Sequence, residues 1–194
     1  MDYFIINKPF GYLSQFTREI PEHKVLGDLY DFPPDVYPVG RLDRDSEGLL
    51  ILTNDKRLNS RLLNPKNAHQ RTYWAQVEGE PTPEAINALQ KGVSIKINKK
   101  THHSLPTEAT IIPAPAEVPE RDPPVRFRKS IPTTWLELKL TEGKNRQVRK
   151  MCAKVGFPVL RLLRVQIEDL KIPSFEIGTV RRMDEKHLFR LLKL

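Results

Sequence analysis

The order of apolar and polar positions divides this chain into short strands separated by turn residues. Residues 3–6 and 49–53 are continuous apolar runs, which are typical of strands inside a sheet. Residues 71–79 and 135–140 alternate between apolar and polar side chains, so one face of each strand is expected to lie on a core. The pattern therefore predicts a sheet that contains both fully buried and half-exposed strands.

Two helices are predicted from caps that precede helical spacing. Asn54 or Asp55 can cap a helix over residues 56–63, in which apolar side chains recur one turn apart. A second helix is predicted to begin after Thr82, with proline at its first position, and to end at Gly92. Both helices are expected to pack on the sheet.

A third helix is predicted after Asn145, which can act as its cap, and it is expected to end at Gly156. Its apolar stripe follows the i, i+3, i+4, i+7 spacing of a helix face that lies on a core. The stripe consists of Val148, Met151, Cys152 and Val155.

Residues 106–132 contain seven prolines, and we expect them to form one long loop. Basic side chains of this loop, namely Arg126, Arg128 and Lys129, are candidates for contacts with a nucleic acid. A solvated charged loop without a partner is the alternative interpretation.

The net charge of the chain limits the kinds of partner that it is expected to bind. The 194 residues suit one large domain, or one domain with two lobes. Lys and Arg together number 32 against 24 Asp and Glu, and the resulting charge of +8 favours a polyanionic partner. Charge alone does not distinguish RNA from DNA or from an anionic membrane surface.

Composition also argues against several classes of protein. One cysteine excludes an intramolecular disulfide framework, and the scattered histidines predict no metal site. Apolar runs are far shorter than the roughly 18 residues that a membrane span requires. The N-terminal residues contain no basic leader and no long apolar stretch, so we expect no secretory signal and a cytoplasmic location.

The most informative segment is the polar stretch directly before the buried strand at residues 49–53. Asp43 lies there between Arg41 and Arg44, in a loop that the strand holds in place. The residues alone leave two interpretations of Asp43: a catalytic carboxylate, or one half of a surface Asp–Arg pair.

Residues 40–55 read G-R-L-D-x-x-S-E-G-L-L-x-L-T-N-D and resemble the signature of the RsuA family of RNA pseudouridine synthases, which modify ribosomal RNA. The resemblance extends through residues 7–16, 71–73 and 143–151. Residues 126–136 are most similar to the large-subunit synthase E branch of that family.

The resemblance implies an α+β fold, with a mixed, largely antiparallel sheet, flanking helices and a central basic cleft. It implies one catalytic domain over residues 1–194, in two lobes and without an S4-type N-terminal domain. The implied activity is isomerisation of a specific uridine in 23S ribosomal RNA, without a metal or other cofactor, by a protein that we expect to be a monomer.

Site residues follow from the same resemblance. Asp43 would be the nucleophile, or the base that starts glycal formation, and Arg149 would form an ion pair with it. Tyr73 would stack on the target uracil with its hydroxyl near the proton that leaves C5. Leu160 or Leu163 would pack under the base. The RNA would be held by Arg41, Arg44, Lys144, Arg146, Lys150, Arg126, Arg128 and Lys129.

Two positions need separate mention. Arg41 would position the loop or pair with Glu47. The chain differs from the family at Ile167-Glu168, which stand where the family usually has an Ile-Gly pair.

The sequence also allows two alternative functions. One is a non-catalytic RNA-binding or ribosome-assembly protein with the same fold. Another is a glycosidase-like hydrolase that uses Asp43 together with Asp45 or Glu47.

Overall fold

The computed structural model describes residues 1–126 and 128–194. Its strands are β1 (Tyr3–Lys8), β2 (Tyr37–Pro38), β3 (Glu47–Thr53), β4 (Arg71–Glu78), β5 (Ser94–Ile97), β6 (Lys100–His103), β7 (Glu108–Ile112), β8 (Thr133–Leu140), β9 (Val159–Ile167), β10 (Leu170–Lys171) and β11 (Val180–Arg182). Its helices are α1 (Lys56–Leu63), α2 (Pro83–Lys91), α3 (Gln147–Lys154) and α4 (Glu185–Leu191).

One large sheet runs through the molecule in the order β11-β1-β3-β9-β4-β8-β7, with β2 beside β3 and β10 beside β9. Its neighbouring strands are antiparallel except for β3 and β9, which are parallel. Strands β5 and β6 form a separate hairpin. The mixed, largely antiparallel α+β architecture predicted from the sequence is confirmed.

The core explains the two kinds of strand. Every residue of β1 and β3 is buried, because one face packs under α1 and α4 while the other packs under the segment that precedes β2. In β8 the alternate side chains of Leu136, Leu138 and Leu140 are buried, and together with Ala75 and Val77 of β4 they share a core with α2 and α3. The central pair of strands, β3 and β9, joins the two halves.

The predicted helix starts are confirmed in two cases and wrong in one. The Asp55 side chain accepts a hydrogen bond at the start of α1, and the Thr82 side chain does so at the start of α2. Asn145 does not cap α3, because the residue before this helix is Arg146, in the left-handed conformation with φ 51°. The Asn145 side chain instead accepts a hydrogen bond from Lys150.

The proline-rich segment is not a loop throughout. Residues Glu108–Ile112 form β7, an edge strand whose backbone pairs with β8. Pairing with a distant strand stabilises β7 although its own apolar pattern is weak, and the short strand buries Ala109. Phe127 lies outside the described residues.

Gly48 allows β3 to approach β9 closely. It lies opposite Arg164 in the parallel register, and a Cβ atom on Gly48 would lie 2.3 Å from the Arg164 carbonyl oxygen. Its φ of +104° is also in a region that side chains other than hydrogen disfavour. This glycine therefore fixes where the preceding loop meets the sheet.

Candidate active site

The loop of residues 40–46 is pinned to the turn that follows β1. The Ser14 hydroxyl donates to the Leu42 carbonyl at 2.9 Å and accepts from the Leu42 backbone N–H at 3.0 Å. The Gly11 N–H donates to the Arg44 carbonyl at 2.8 Å, and Arg44 Nε donates to the Gly11 carbonyl at 3.2 Å. These reciprocal bonds hold the backbone of the loop at a fixed position.

A cleft of about 880 Å³ lies beside this loop, and both Asp43 and Tyr73 line it. The Asp43 side chain is 32% exposed, and its Oδ2 atom lies 3.7 Å from an Arg146 nitrogen. Within the described part of the chain, Glu142 is the other carboxylate in the lining. The cationic lining residues are Arg41, Arg44, Arg71, Lys144, Arg146 and Arg164.

Arg149 does not form the expected ion pair with Asp43. Its Nη2 donates to the backbone carbonyl of Asp45 at 2.6 Å, and its Nε lies 3.4 Å from the Asp45 carboxylate. Arg146 holds the same carboxylate through two bonds of 2.8 and 2.6 Å. Asp45 lies two residues beyond Asp43, and its carboxylate is directed at the start of α3. It therefore binds both arginines, whereas the Asp43 carboxylate faces the cleft.

The positive charges around Asp45 oppose the effect of burial on its pKa. Burial alone would raise the pKa of this carboxyl, but the hydrogen bonds from Arg146 and the charge of Arg149 hold the pKa below its usual value. Burial lowers the pKa of the Arg149 guanidinium, and the Asp45 charge opposes that shift. Asp45 is therefore an ionised structural group.

The predicted RNA contacts separate into two sets. Arg41, Arg44, Lys144 and Arg146 line the cleft. The remaining four lie outside its lining as the structure describes it, and Arg128 forms an ion pair with Glu78 at 2.6 Å. They are Lys150, Arg126, Arg128 and Lys129.

Comparisons with known proteins identify the family of the chain. The family model described as RNA pseudouridylate synthase matches residues 2–154. The ribosomal large subunit pseudouridine synthase E of Xanthomonas axonopodis pv. citri is 49% identical over 172 residues, which are 88% of this chain and 87% of that protein. The protein of the same name from Vibrio parahaemolyticus is 48% identical over 174 residues, covering 90% of this chain and 70% of that one. The chain belongs to the RNA pseudouridylate synthase family.

A solved structure and a more distant relative extend the comparison. A crystal structure of a pseudouridylate synthase superposes with a TM-score of 0.78 at 24% identity and covers 98% of this chain and 73% of its own, which supports the fold. The ribosomal large subunit pseudouridine synthase B of Bacillus subtilis is 32% identical, over 99% of this chain and 72% of that protein.

Metal-binding clusters and membrane-spanning helices are both absent from residues 1–126 and 128–194. Those residues contain no cluster of three or more His, Cys, Asp or Glu side chains suited to a metal ion. Among the same residues, none of the helices is both long enough and apolar enough to cross a membrane.

Behind the synthase site, Glu47 and Arg161 form a buried ion pair. Arg161 holds both carboxylate oxygens of Glu47, at 2.8 and 2.9 Å, and each side chain is 6% exposed. Arg161 also donates to the Pro119 carbonyl at 2.8 Å, and the Arg121 guanidinium lies 4.1 Å from the centre of the Phe10 ring. The ion pair thus joins β3 to β9. The contacts of Arg161 and Arg121 hold the proline-rich segment against the site. Arg41 is therefore not the partner of Glu47.

The synthase cleft contains residues that sequence reasoning missed. Leu162 lines it, whereas Leu160 and Leu163, the two expected to lie under the base, do not within the described lining. Arg164 also lines the cleft and donates from Nε to the Leu49 carbonyl at 2.8 Å. Strand β9 is central and has buried side chains on both faces, so its sequence carries no alternation that would have shown which leucine faces the cleft.

A second feature of the cleft wall is a contact between His69 and Glu168. His69 lines the cleft, and its Nδ1 lies 3.2 Å from a carboxylate oxygen of Glu168. Glu168 has a φ of 48°, in the left-handed region that favours glycine. Lys193, near the end of the chain, also pairs with Glu168 at 3.1 Å.

The Lys8 side chain supports the turn to which the synthase loop is pinned. It is fully buried and donates to the carbonyls of Pro9 and Tyr12 at 2.9 and 2.7 Å. Burial lowers the pKa of Lys8 to about 7, against the opposing charges of Glu47 and other nearby carboxylates.

This pKa predicts a pH dependence of stability. Between pH 7 and 8.5 the unfolded chain keeps the Lys8 proton while the folded chain loses it, so the contribution of Lys8 to the free energy of unfolding rises with pH, by on the order of 1 kcal/mol. Urea unfolding of the wild type and of Lys8→Met at both pH values gives the change in the free energy of unfolding with pH for each protein. The difference between these two changes is the contribution of Lys8. The same change in both proteins would contradict the assignment.

Proposed function

We propose that the protein isomerises a specific uridine of large-subunit ribosomal RNA, the 23S RNA, to pseudouridine. The observation that carries the proposal is a carboxylate, Asp43, placed in the family's signature loop and facing a cleft that also contains Tyr73. The two relatives at 49% and 48% identity, both described as ribosomal large subunit pseudouridine synthase E, support the choice of substrate.

In the proposed reaction, Asp43 attacks the ribose as a nucleophile or removes a proton to start glycal formation. The bond from C1′ to uracil N1 breaks, and the freed base turns. A bond then forms from C1′ to C5 as the Asp43 carboxylate leaves the sugar or, in the glycal route, returns the proton that it removed. C5 loses its proton and N1 gains one. The product is an isomer of the substrate, so no oxidant, reductant or nucleotide is consumed. Arg146 lies 3.7 Å from Asp43, so a positive charge faces the carboxylate that this step uses.

Arg149 has a different part in this proposal from the one the sequence suggested. Because it binds both the backbone and the carboxylate of Asp45, it acts as a positioning residue that joins α3 to the loop. Leu162 and Tyr73 both line the cleft and supply flat or apolar surface for a base that leaves its stack.

The two roles proposed for Tyr73 can be separated. Tyr73→Phe keeps the ring, so RNA affinity is expected to change less than twofold, while loss of the hydroxyl slows the reaction by about 10²-fold or more. Tyr73→Leu also loses the stacking surface, which is worth about 1–3 kcal/mol per base, and so weakens binding at least about fivefold. Single-turnover rates and filter binding measure both effects. Equal affinities for the phenylalanine and leucine variants would refute the stacking role.

The rival functions make different demands on the site. A hydrolase that paired Asp43 with Asp45 or Glu47 would need one of these two as a general acid, but Asp45 is held by two arginines and Glu47 by Arg161. A non-catalytic RNA-binding protein would use the cationic lining of the cleft and leave Asp43 without a role.

Release of tritium from 23S RNA labelled at uridine C5 tests the reaction class, since the proton on C5 must leave when the new bond forms. We expect release with the protein alone, without added metal or nucleotide. No release from free RNA or from precursor particles would overturn the catalytic proposal and favour the RNA-binding one.

We further propose that residues 1–194 act as a single catalytic domain in two lobes, as a monomer, in the cytoplasm where ribosomes are assembled. The continuous sheet that passes through both halves of the chain supports the first point. The RNA substrate supports the location.

A further inference from the structure

The hairpin formed by β5 and β6 carries a concentration of positive charge that the proposed chemistry does not use. Residues 91–107 contain four lysines and neither aspartate nor glutamate. All four lysines are exposed, and within the described chain none of them forms an ion pair with a carboxylate. They are Lys91, Lys96, Lys99 and Lys100.

The register of the hairpin separates these lysines by face. Ile95 lies opposite His102, and Ile97 lies opposite Lys100, so these four side chains share one face. Ile95 is buried in the core against α3, and His102 lines the synthase cleft. Lys100 therefore continues the cleft wall by one step along β6, outward from His102.

Lys96 has the opposite orientation. It lies opposite Thr101 in the register, and successive side chains of a strand point to opposite faces, so Lys96 is directed away from the cleft side. Lys99 lies between these positions, in the turn, with a φ of 66°. One hairpin thus offers two exposed lysines in matched strands that differ in the face they occupy.

Glu142 joins the hairpin to the cleft. Its carboxylate lies 2.9 Å from Nε2 of His102 and accepts from the backbone N–H of Leu105 at 2.8 Å. It also accepts from the Gln147 side chain at 2.5 Å, in the first turn of α3. The hairpin and the segment that carries Lys144 are therefore held together.

We propose that Lys100, together with Lys99 in the turn, binds the phosphate backbone of the RNA strand that flanks the target uridine. The inference rests on the proposed function and extends its binding surface beyond the cleft. RNA is favoured over an acidic protein as the partner because the lysines continue the wall of the cleft in which the uridine would lie. Lysine contacts to phosphate add affinity without reading sequence, so they act on binding and leave the chemical step unchanged.

The test compares Lys99→Gln/Lys100→Gln with Lys96→Gln, using unmodified 23S RNA fragments and filter binding at several salt concentrations. Removing one lysine–phosphate interaction should reduce the slope of log affinity against log salt by about 0.7–0.9. For the double variant we expect a slope lower by one to two units, an affinity about tenfold lower at moderate salt, and a kcat within twofold of the wild type. Lys96→Gln should match the wild type, and Lys100→Arg should retain the wild-type slope.

Two outcomes would overturn the inference: a wild-type slope in the double variant, or an equal loss in Lys96→Gln, which would show that general charge and not a defined face is responsible. A wrong proposed function gives a different result from a wrong inference about the lysines, because the wild type itself would then release no tritium. In that case the salt slopes still report whether this face binds RNA.

Discussion

Asp43→Asn is expected to abolish pseudouridine formation, by about 10⁴-fold or more in kcat, while RNA affinity stays within about threefold of the wild type. Asparagine keeps the size of the side chain but has neither the charge nor the nucleophilic oxygen. The Asp43 side chain accepts none of the hydrogen bonds found among the described residues that hold its loop, so its loss leaves the cleft in place. Single-turnover tritium release and filter binding measure the two quantities.

Asp45→Asn is the matched control, because it neutralises a carboxylate two residues away. It weakens the contacts of Arg146 and Arg149, so we expect lower stability and a reduced but measurable rate. An inactive Asp45→Asn beside an active Asp43→Asn would show that the catalytic carboxylate has been misassigned.

The second large effect concerns the buried pair behind the site. Glu47→Ala leaves the Arg161 guanidinium buried without its carboxylate, and breaking such a pair typically costs about 3–5 kcal/mol. Urea unfolding should therefore show a free energy of unfolding lower by about that amount. We expect Glu47→Leu/Arg161→Leu to recover most of the loss, because it removes both charges and fills the space with apolar atoms.

An exposed pair of the same kind provides the control. Arg128 and Glu78 lie 2.6 Å apart with side chains that are 40% and 20% exposed, and surface pairs contribute at most about 1 kcal/mol. Glu78→Ala should thus cost far less than Glu47→Ala. Similar costs for the two variants would show that burial does not set the strength of the inner pair.

Local patterns in the sequence were sufficient for most of the fold. Continuous and alternating apolar runs located β3 and β8, and the caps at Asp55 and Thr82 located the starts of two helices. These features depend on residues close together in sequence. Strand β7 was missed because its stability comes from pairing with β8, whose partner residues lie 23 to 31 positions further along the chain.

In the site, too, local motifs identified individual residues, but they did not identify contacts between residues distant in sequence. The signature loop identified Asp43, and the motif at residues 71–73 identified Tyr73, and the structure places both in one cleft. The partner of Arg149 could not be read from the motifs, because Asp43 and Asp45 are equally near in sequence and only the direction of each carboxylate separates them. The pairing of Glu47 with Arg161 spans 114 residues and has no local pattern.

The most direct test of Asp43-dependent pseudouridine formation is to map pseudouridine in 23S RNA transcribed without modifications, after incubation with the wild type or with Asp43→Asn. Carbodiimide adducts and reverse-transcription stops locate each modified base. We expect one new stop with the wild type and none with Asp43→Asn. A stop that persists in Asp43→Asn, or no stop with either free RNA or precursor particles, would contradict the proposed activity.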